Sequence, residues 1–234
     1  MLSEPSKHRL IRDIEWVLRS PALFLPPNDS RFPSKAWFDK QADQIATPLQ
    51  ALANNPLEIT TLQERCSGLR LGGYFEQLVL CWLSLSPQYQ VLAHNLQVNE
   101  NGRTLGAFDL IVKDLNDGVV EHWELACKFY LQDGPSEDAK SWFGPARNDR
   151  LVSKYQHLLN HQIALSDSDA GRHVLAQQGW DIGRHKIIVK GRLFGFFEAD
   201  SRLPAICNPD LLKGWLKLSD EQQADDTLLP LQRE

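Results

Sequence analysis

The sequence has no apolar run near the roughly 18 residues that a membrane-spanning helix needs, so no such helix is expected. Its start carries Lys7, His8 and Arg9 and then Asp13 and Glu15, without the apolar stretch of a secretory signal, and a cytoplasmic protein is the expectation. Cysteine is sparse. Cys66, Cys81, Cys127 and Cys207 stand far apart with no C-x-x-C pair, which argues against a structural zinc site. Cys81 and Cys127 fall on apolar faces and are read as reduced core residues. There is no phosphate-binding glycine loop and no Gly-x-Ser-x-Gly elbow. Gly72-Gly73 opens a predicted helix but follows no strand, so a dinucleotide-binding fold is not supported. No repeat or low-complexity tract is visible. The net charge of −5 argues against indiscriminate binding to nucleic acid.

What is present is one sizeable core, since 42% of 234 residues are hydrophobic. Within it, residues 103–113 and 119–131 read as adjacent strands. Period two puts Trp123, Leu125, Cys127, Phe129 and Leu131 on one face, broken only by Glu121. His122, Glu124, Ala126, Lys128 and Tyr130 share the other. On the preceding strand Phe108, Leu110 and Val112 oppose Ala107, Asp109 and Ile111. With Asp117-Gly118 as a two-residue hairpin loop, Asp109 falls opposite Ala126. Glu124 and Lys128 then lie on its two diagonals, each roughly 7–8 Å away. Two carboxylates and a lysine on one sheet face suit a divalent cation. Charged strand faces are also commonly solvated surface with cross-strand ion pairs.

The surrounding elements frame these strands. Residues 69–85 read as a helix through Leu71, Phe75, Leu78, Val79, Trp82 and Leu83, ended by Pro87. Glu76 stands at the boundary of that stripe, where it could point towards the acids. Residues 89–98 read as a strand, 149–165 as a helix and 185–191 as an apolar strand, giving the order α-β-β-β-α-β. Residues 6–19 and 35–66 read as helices, the latter interrupted around Pro48 and Pro56, and 20–34 as a Pro-rich loop. Residues 140–192 hold nine Lys/Arg against four acids, a balance of +5 that would suit a polyanion. His157 and His161 have a metal-ligand spacing but no catalytic glutamate beside them, and are read as surface or groove histidines.

The order of elements, with an acid, a second acid and a strand lysine, resembles the PD-(D/E)XK nuclease superfamily. More closely, Arg70–Glu76 (RLGGYFE), Thr104–Asp109 (TLGAFD) and His122–Leu131 (HWELACKFYL) are similar to a bacterial family known as domain of unknown function 1853. Trp142–Pro145 with Asp149–Leu151 and Lys154, and Lys190–Phe194, are similar as well. The resemblance implies an α/β fold: a restriction-endonuclease-like core with a mixed sheet over 67–200, an N-terminal helical cap over 1–66, and a C-terminal extension over 201–234. That family runs longer, so the extension is expected to be cut short. Carried over, Asp109, Glu124 and Glu76 would hold Mg²⁺ or Mn²⁺, and Lys128 would be the catalytic lysine of phosphodiester hydrolysis. Arg147, Arg150 and Lys154 would contact a nucleic-acid backbone, with Gln156 and Gln162 also reaching substrate. The superfamily spaces its strand acid and lysine by two residues, about 6.6 Å, whereas Glu124 and Lys128 are four apart, about 13 Å. Either Glu124 reaches the metal from its shifted place, or a bulge closes the gap, or no metal binds. A metal-dependent nuclease and a non-catalytic nucleic-acid-binding or protein-interaction module of the same fold both follow from this pattern.

Overall fold

The computed structural model describes residues 8–195 and 202–212. Residues 213–234, with most of the C-terminal extension, lie outside this range. The described chain is a mixed α/β protein of six α-helices and a five-stranded sheet. Helices α1 (Arg9–Arg19), α2 (Lys35–Ala53) and α3 (Pro56–Cys66) precede α4 (Leu71–Leu85). Pro48 sits inside α2 without the expected interruption. Pro56 instead opens α3, where a missing N–H is no loss, and the Asn55 side chain caps it by accepting from the Glu58 N–H. None of these helices is long and apolar enough to cross a membrane.

Strands β1 (Tyr89–Glu100), β2 (Arg103–Asp114) and β3 (Val120–Gln132) form an antiparallel meander. A short β4 (Trp142–Phe143) pairs antiparallel with the end of β3, and β5 (Ile182–Phe194) runs parallel along its other edge. Between β4 and β5 the expected single helix is three joined segments. These are α5 (Leu151–His157), a π-turn (Leu158–Gln162) and a 3₁₀ segment (Ile163–Asp167). A further helix, α6 (Asp169–Gln177), was not foreseen; Ser168 caps it.

The two-face reading of β3 is borne out through Cys127, while Leu131, at the strand's end, is exposed. Trp123, Leu125 and Cys127 pack into a core shared with α1, α2 and α4. Ala126 and Tyr130 pack on the opposite side with Leu151 and Leu158. Leu71 departs from its expected stripe and is exposed. All four cysteines are buried and free. Glu121, which broke the apolar pattern, is fully buried. Its carboxylate accepts from Trp123 Nε1 and Arg184 Nε, both at 2.7 Å, and from the Lys186 ammonium. That ammonium lies against the rings of Trp37, Tyr89 and Trp123.

The β2–β3 register corrects the expected hairpin. Leu110 faces Trp123 and Ile111 faces His122, so the loop is four residues, 115–118. Asp114 N–H to Val119 O (2.9 Å) and Gly118 N–H to Asp114 O (2.8 Å) close it. The Asp114 and Asp117 side chains accept from Asn116 and Val119 N–H groups, which favours the longer turn. The two-residue shift moves Asp109 from Ala126 to Glu124.

Strand β3 is regular against β5 from Glu121 to Leu131, so no bulge shortens the Glu124–Lys128 spacing. The fit of these strands is tight at Gly191, where a Cβ would stand 1.7 Å from the Lys128 carbonyl oxygen. Gly191→Ala is therefore expected to destabilise by more than about 4 kcal/mol, read as a lost urea transition or loss of soluble protein.

Candidate active site

The site forms where β2 leaves β3. Their ladder ends at Leu110–Trp123, and Asp109 Oδ2 instead accepts from the Leu125 N–H at 2.8 Å. Phe108 now lies with Ile111, against the His122 ring, rather than with Leu110, as β2 turns out of the sheet. The Asp109 carboxyl comes beside Glu124, which is fully buried. Burial, then the neighbouring Glu124 charge, push Asp109 up to about 7. Burial likewise pushes Glu124 up to about 7.

Glu124 is held at both oxygens. Oε1 is hydrogen-bonded to His122 Nε2 at 2.8 Å, and Oε2 accepts from Gln162 Nε2 at 2.6 Å. Burial pushes His122 down to about 4, so its ring is neutral. Behind it, Ser166 Oγ lies 3.4 Å from His122 Nδ1 and 2.8 Å from His185 Nε2. Gln162 Oε1 in turn accepts from Lys154 Nζ at 2.6 Å. The π-turn delivers Gln162, and α5 delivers Lys154, onto the β3 face that carries Glu124. Burial, and after it the charge of Lys128, lower the Lys154 amine.

The remaining expected residues make their bonds outside this network. Glu76 is close enough for its charge to act on Asp109, but its carboxylate is bonded to His94 Nε2 at 3.3 Å. Lys128 is paired with Asp149 at 2.7 Å rather than with either strand acid. Arg147 and Arg150 place their guanidinium groups 5.0 and 4.7 Å from the Phe143 ring centre, and Arg147 also pairs with Asp133. Gln156 is exposed and outside the network. His157 and His161 stack on each other at the surface, as expected of surface histidines. Sequence reading assigned no site role to His122, Ser166, His185 or Asp149, although Asp149 stands among the residues similar to the family. His122 was legible, sharing the Glu124 face by period two; the other three are joined to the site only by tertiary packing.

Asp109 and Glu124 fit a small hard cation, because Mg²⁺ is commonly held by one or two carboxylates with water completing its shell. The set does not extend further: among the described residues no group of three or more His, Cys, Asp or Glu side chains could hold a metal ion.

This is a mixed α/β protein in which a half-buried Asp109 meets a fully buried Glu124 where two central strands part. It belongs to the DUF1853 family, a domain of unknown function whose family model matches residues 12–234. No curated protein and no solved structure matches the chain.

Proposed function

We propose that this protein is a metal-dependent nuclease of the PD-(D/E)XK-like, restriction-endonuclease-like class. One observation carries the reading: the half-buried Asp109 and the fully buried Glu124, from neighbouring strands, meet beside a lysine-bearing helix. An antiparallel β1–β2–β3 meander followed by a helical crossover to parallel β5 also supports it. Asp109 and Glu124 would hold Mg²⁺ or Mn²⁺, which when bound lowers the pKa of a water and polarises a phosphoryl oxygen. The Leu125 N–H orients Asp109, while His122 and Gln162 orient Glu124. Arg150 would offer charge to flanking phosphates, and Arg147 would do so on leaving Asp133. In the reaction a water oxygen bonds to phosphorus, the P–O bond to the leaving sugar breaks, and the water proton ends on that leaving oxygen or in solvent.

One feature favours the alternative, a non-catalytic nucleic-acid-binding or protein-interaction module: both Glu124 oxygens are already engaged by protein groups. Calorimetric titration of Mg²⁺ and Mn²⁺ into the wild type and Asp109→Ala separates the two. The nuclease reading expects binding that Asp109→Ala abolishes, with metal-dependent cleavage of DNA or RNA that the same change removes. Binding absent or indifferent to Asp109 would sink it.

A further inference from the structure

Two lysines compete for the cationic role beside the acids. Lys128, on the strand, is four residues from Glu124 along a regular β3, about 13 Å of strand. It is also neutralised by Asp149 at 2.7 Å. The place two residues from Glu124 on the same face belongs to Ala126, which brings no charge. Ala126 is buried and packs in the cluster that includes Leu151, Leu158 and Tyr155 of α5 and the π-turn. These helical segments therefore share the core on the Glu124 face of the strand.

They carry Lys154 onto the site. Its ammonium acts electrostatically on Asp109 and Glu124, and it is joined to Glu124 through one intervening side chain, Gln162. Its hydrogen bond goes to a neutral amide oxygen, whereas the Lys128 bond goes to a carboxylate. An ammonium so held keeps most of its charge available to an incoming anion. A fixed cation in a partly water-excluded site is what stabilises charge developing on a phosphoryl group.

We propose that Lys154, rather than Lys128, is the lysine of this site. It reaches the scissile phosphate of a polynucleotide from the helix, over Ala126, and Gln162 positions both Lys154 and Glu124. The inference rests on the nuclease reading for its substrate, but its effect on cation binding is independent of cleavage.

The test compares the full-length wild type with Lys154→Met, Lys154→Arg and Lys128→Met. The readouts are Mn²⁺ affinity by calorimetry and Mn²⁺-dependent cleavage of labelled single- and double-stranded oligonucleotides. Loss of a cation beside the acids is expected to tighten Mn²⁺ binding of Lys154→Met by about threefold or more. The same change should lower kcat by about a hundredfold or more, with KM altered less than about threefold. A merely structural defect would weaken metal binding rather than tighten it. Lys154→Arg keeps the charge, so it should retain near-wild-type Mn²⁺ affinity and more activity than Lys154→Met. It also serves as the readout should Lys154→Met not fold, in which case near-wild-type Mn²⁺ affinity of Lys154→Arg with most of the activity kept by Lys128→Met supports the assignment, and loss of activity in Lys128→Met with Lys154→Arg fully active overturns it. Weaker or unchanged Mn²⁺ affinity in Lys154→Met, or a larger kcat loss in Lys128→Met, would overturn the assignment to Lys154. Wild-type protein that binds Mn²⁺ but cleaves no oligonucleotide would overturn the nuclease reading, and the affinity comparison would then decide the placement of Lys154 alone.

Discussion

Asp109→Asn should leave the folded protein more stable than the wild type by about 1–3 kcal/mol at pH 7.5. The cause is the raised Asp109 carboxyl, 3.8 ordinarily and about 7 in the fold. Between those values the folded state keeps a proton that the unfolded chain releases. Stability from this group is therefore fully present below about pH 4 and lost as pH rises through about 7. Glu124, raised by burial, adds to the same trend, while the lowered His122 contributes stability that is lost as pH falls from 6.5 towards 4. Subtracting the variant's curve from the wild type's reports Asp109 together with its coupling to Glu124. Urea unfolding from pH 4.5 to 8 should show a gap that opens with pH; a constant gap would contradict a destabilising carboxylate. If the nuclease reading holds, the same variant should lose metal-dependent cleavage by about a thousandfold. A gain in stability with loss of activity is the pattern of a site that holds charge at a cost to the fold.

Glu121→Ala is the second large expected effect, a destabilisation of about 3–5 kcal/mol, because removing one partner of a buried ionic cluster strands the others. Arg184, Lys186 and the Trp123 indole N–H all converge on this carboxylate. Burial already pulls the Lys186 amine down, and without Glu121 only its more distant acidic neighbours would oppose that pull. Glu121→Gln should cost less, since an amide oxygen still accepts from Trp123 and fills the same space. Urea midpoints of the two variants at pH 7 check the ordering, and equal losses would mean that packing rather than charge dominates. The two buried acids on β3 differ in this respect: Glu121 is compensated and holds the fold, whereas Glu124 shares its surroundings with a second acid.

Much of the strand architecture was legible in the sequence because it depends on local period. The alternation in 119–131 correctly assigned Trp123, Leu125 and Cys127 to one core and Ala126 and Tyr130 to another. It also placed Glu124 and Asp109 on adjacent strands. Their meeting was not legible, since pairing depends on turn length. Asp117-Gly118 suggested a two-residue loop, but the side chains of Asp114 and Asp117 hold a four-residue one. A change of two residues there decided whether Asp109 faced a methyl group or a carboxyl.

The helix over 149–165 shows the same division. Its apolar positions announced a helical segment, and Leu151 and Leu158 are buried as their spacing required. Nothing local marked the π-turn, whose geometry depends on how the segment packs against β3, yet that turn brings Gln162 to Glu124. By itself the sequence determined the family, the helix and strands that frame the acids and the residue types available for chemistry, because composition, period and motif are local properties; β4 and α6 came only with the structure. The tertiary structure alone decided which acids meet and which lysine stands beside them. Those pairings join side chains from separate segments, and only the strand register and the packing of α5 and the π-turn into the core on that face set which of them come together.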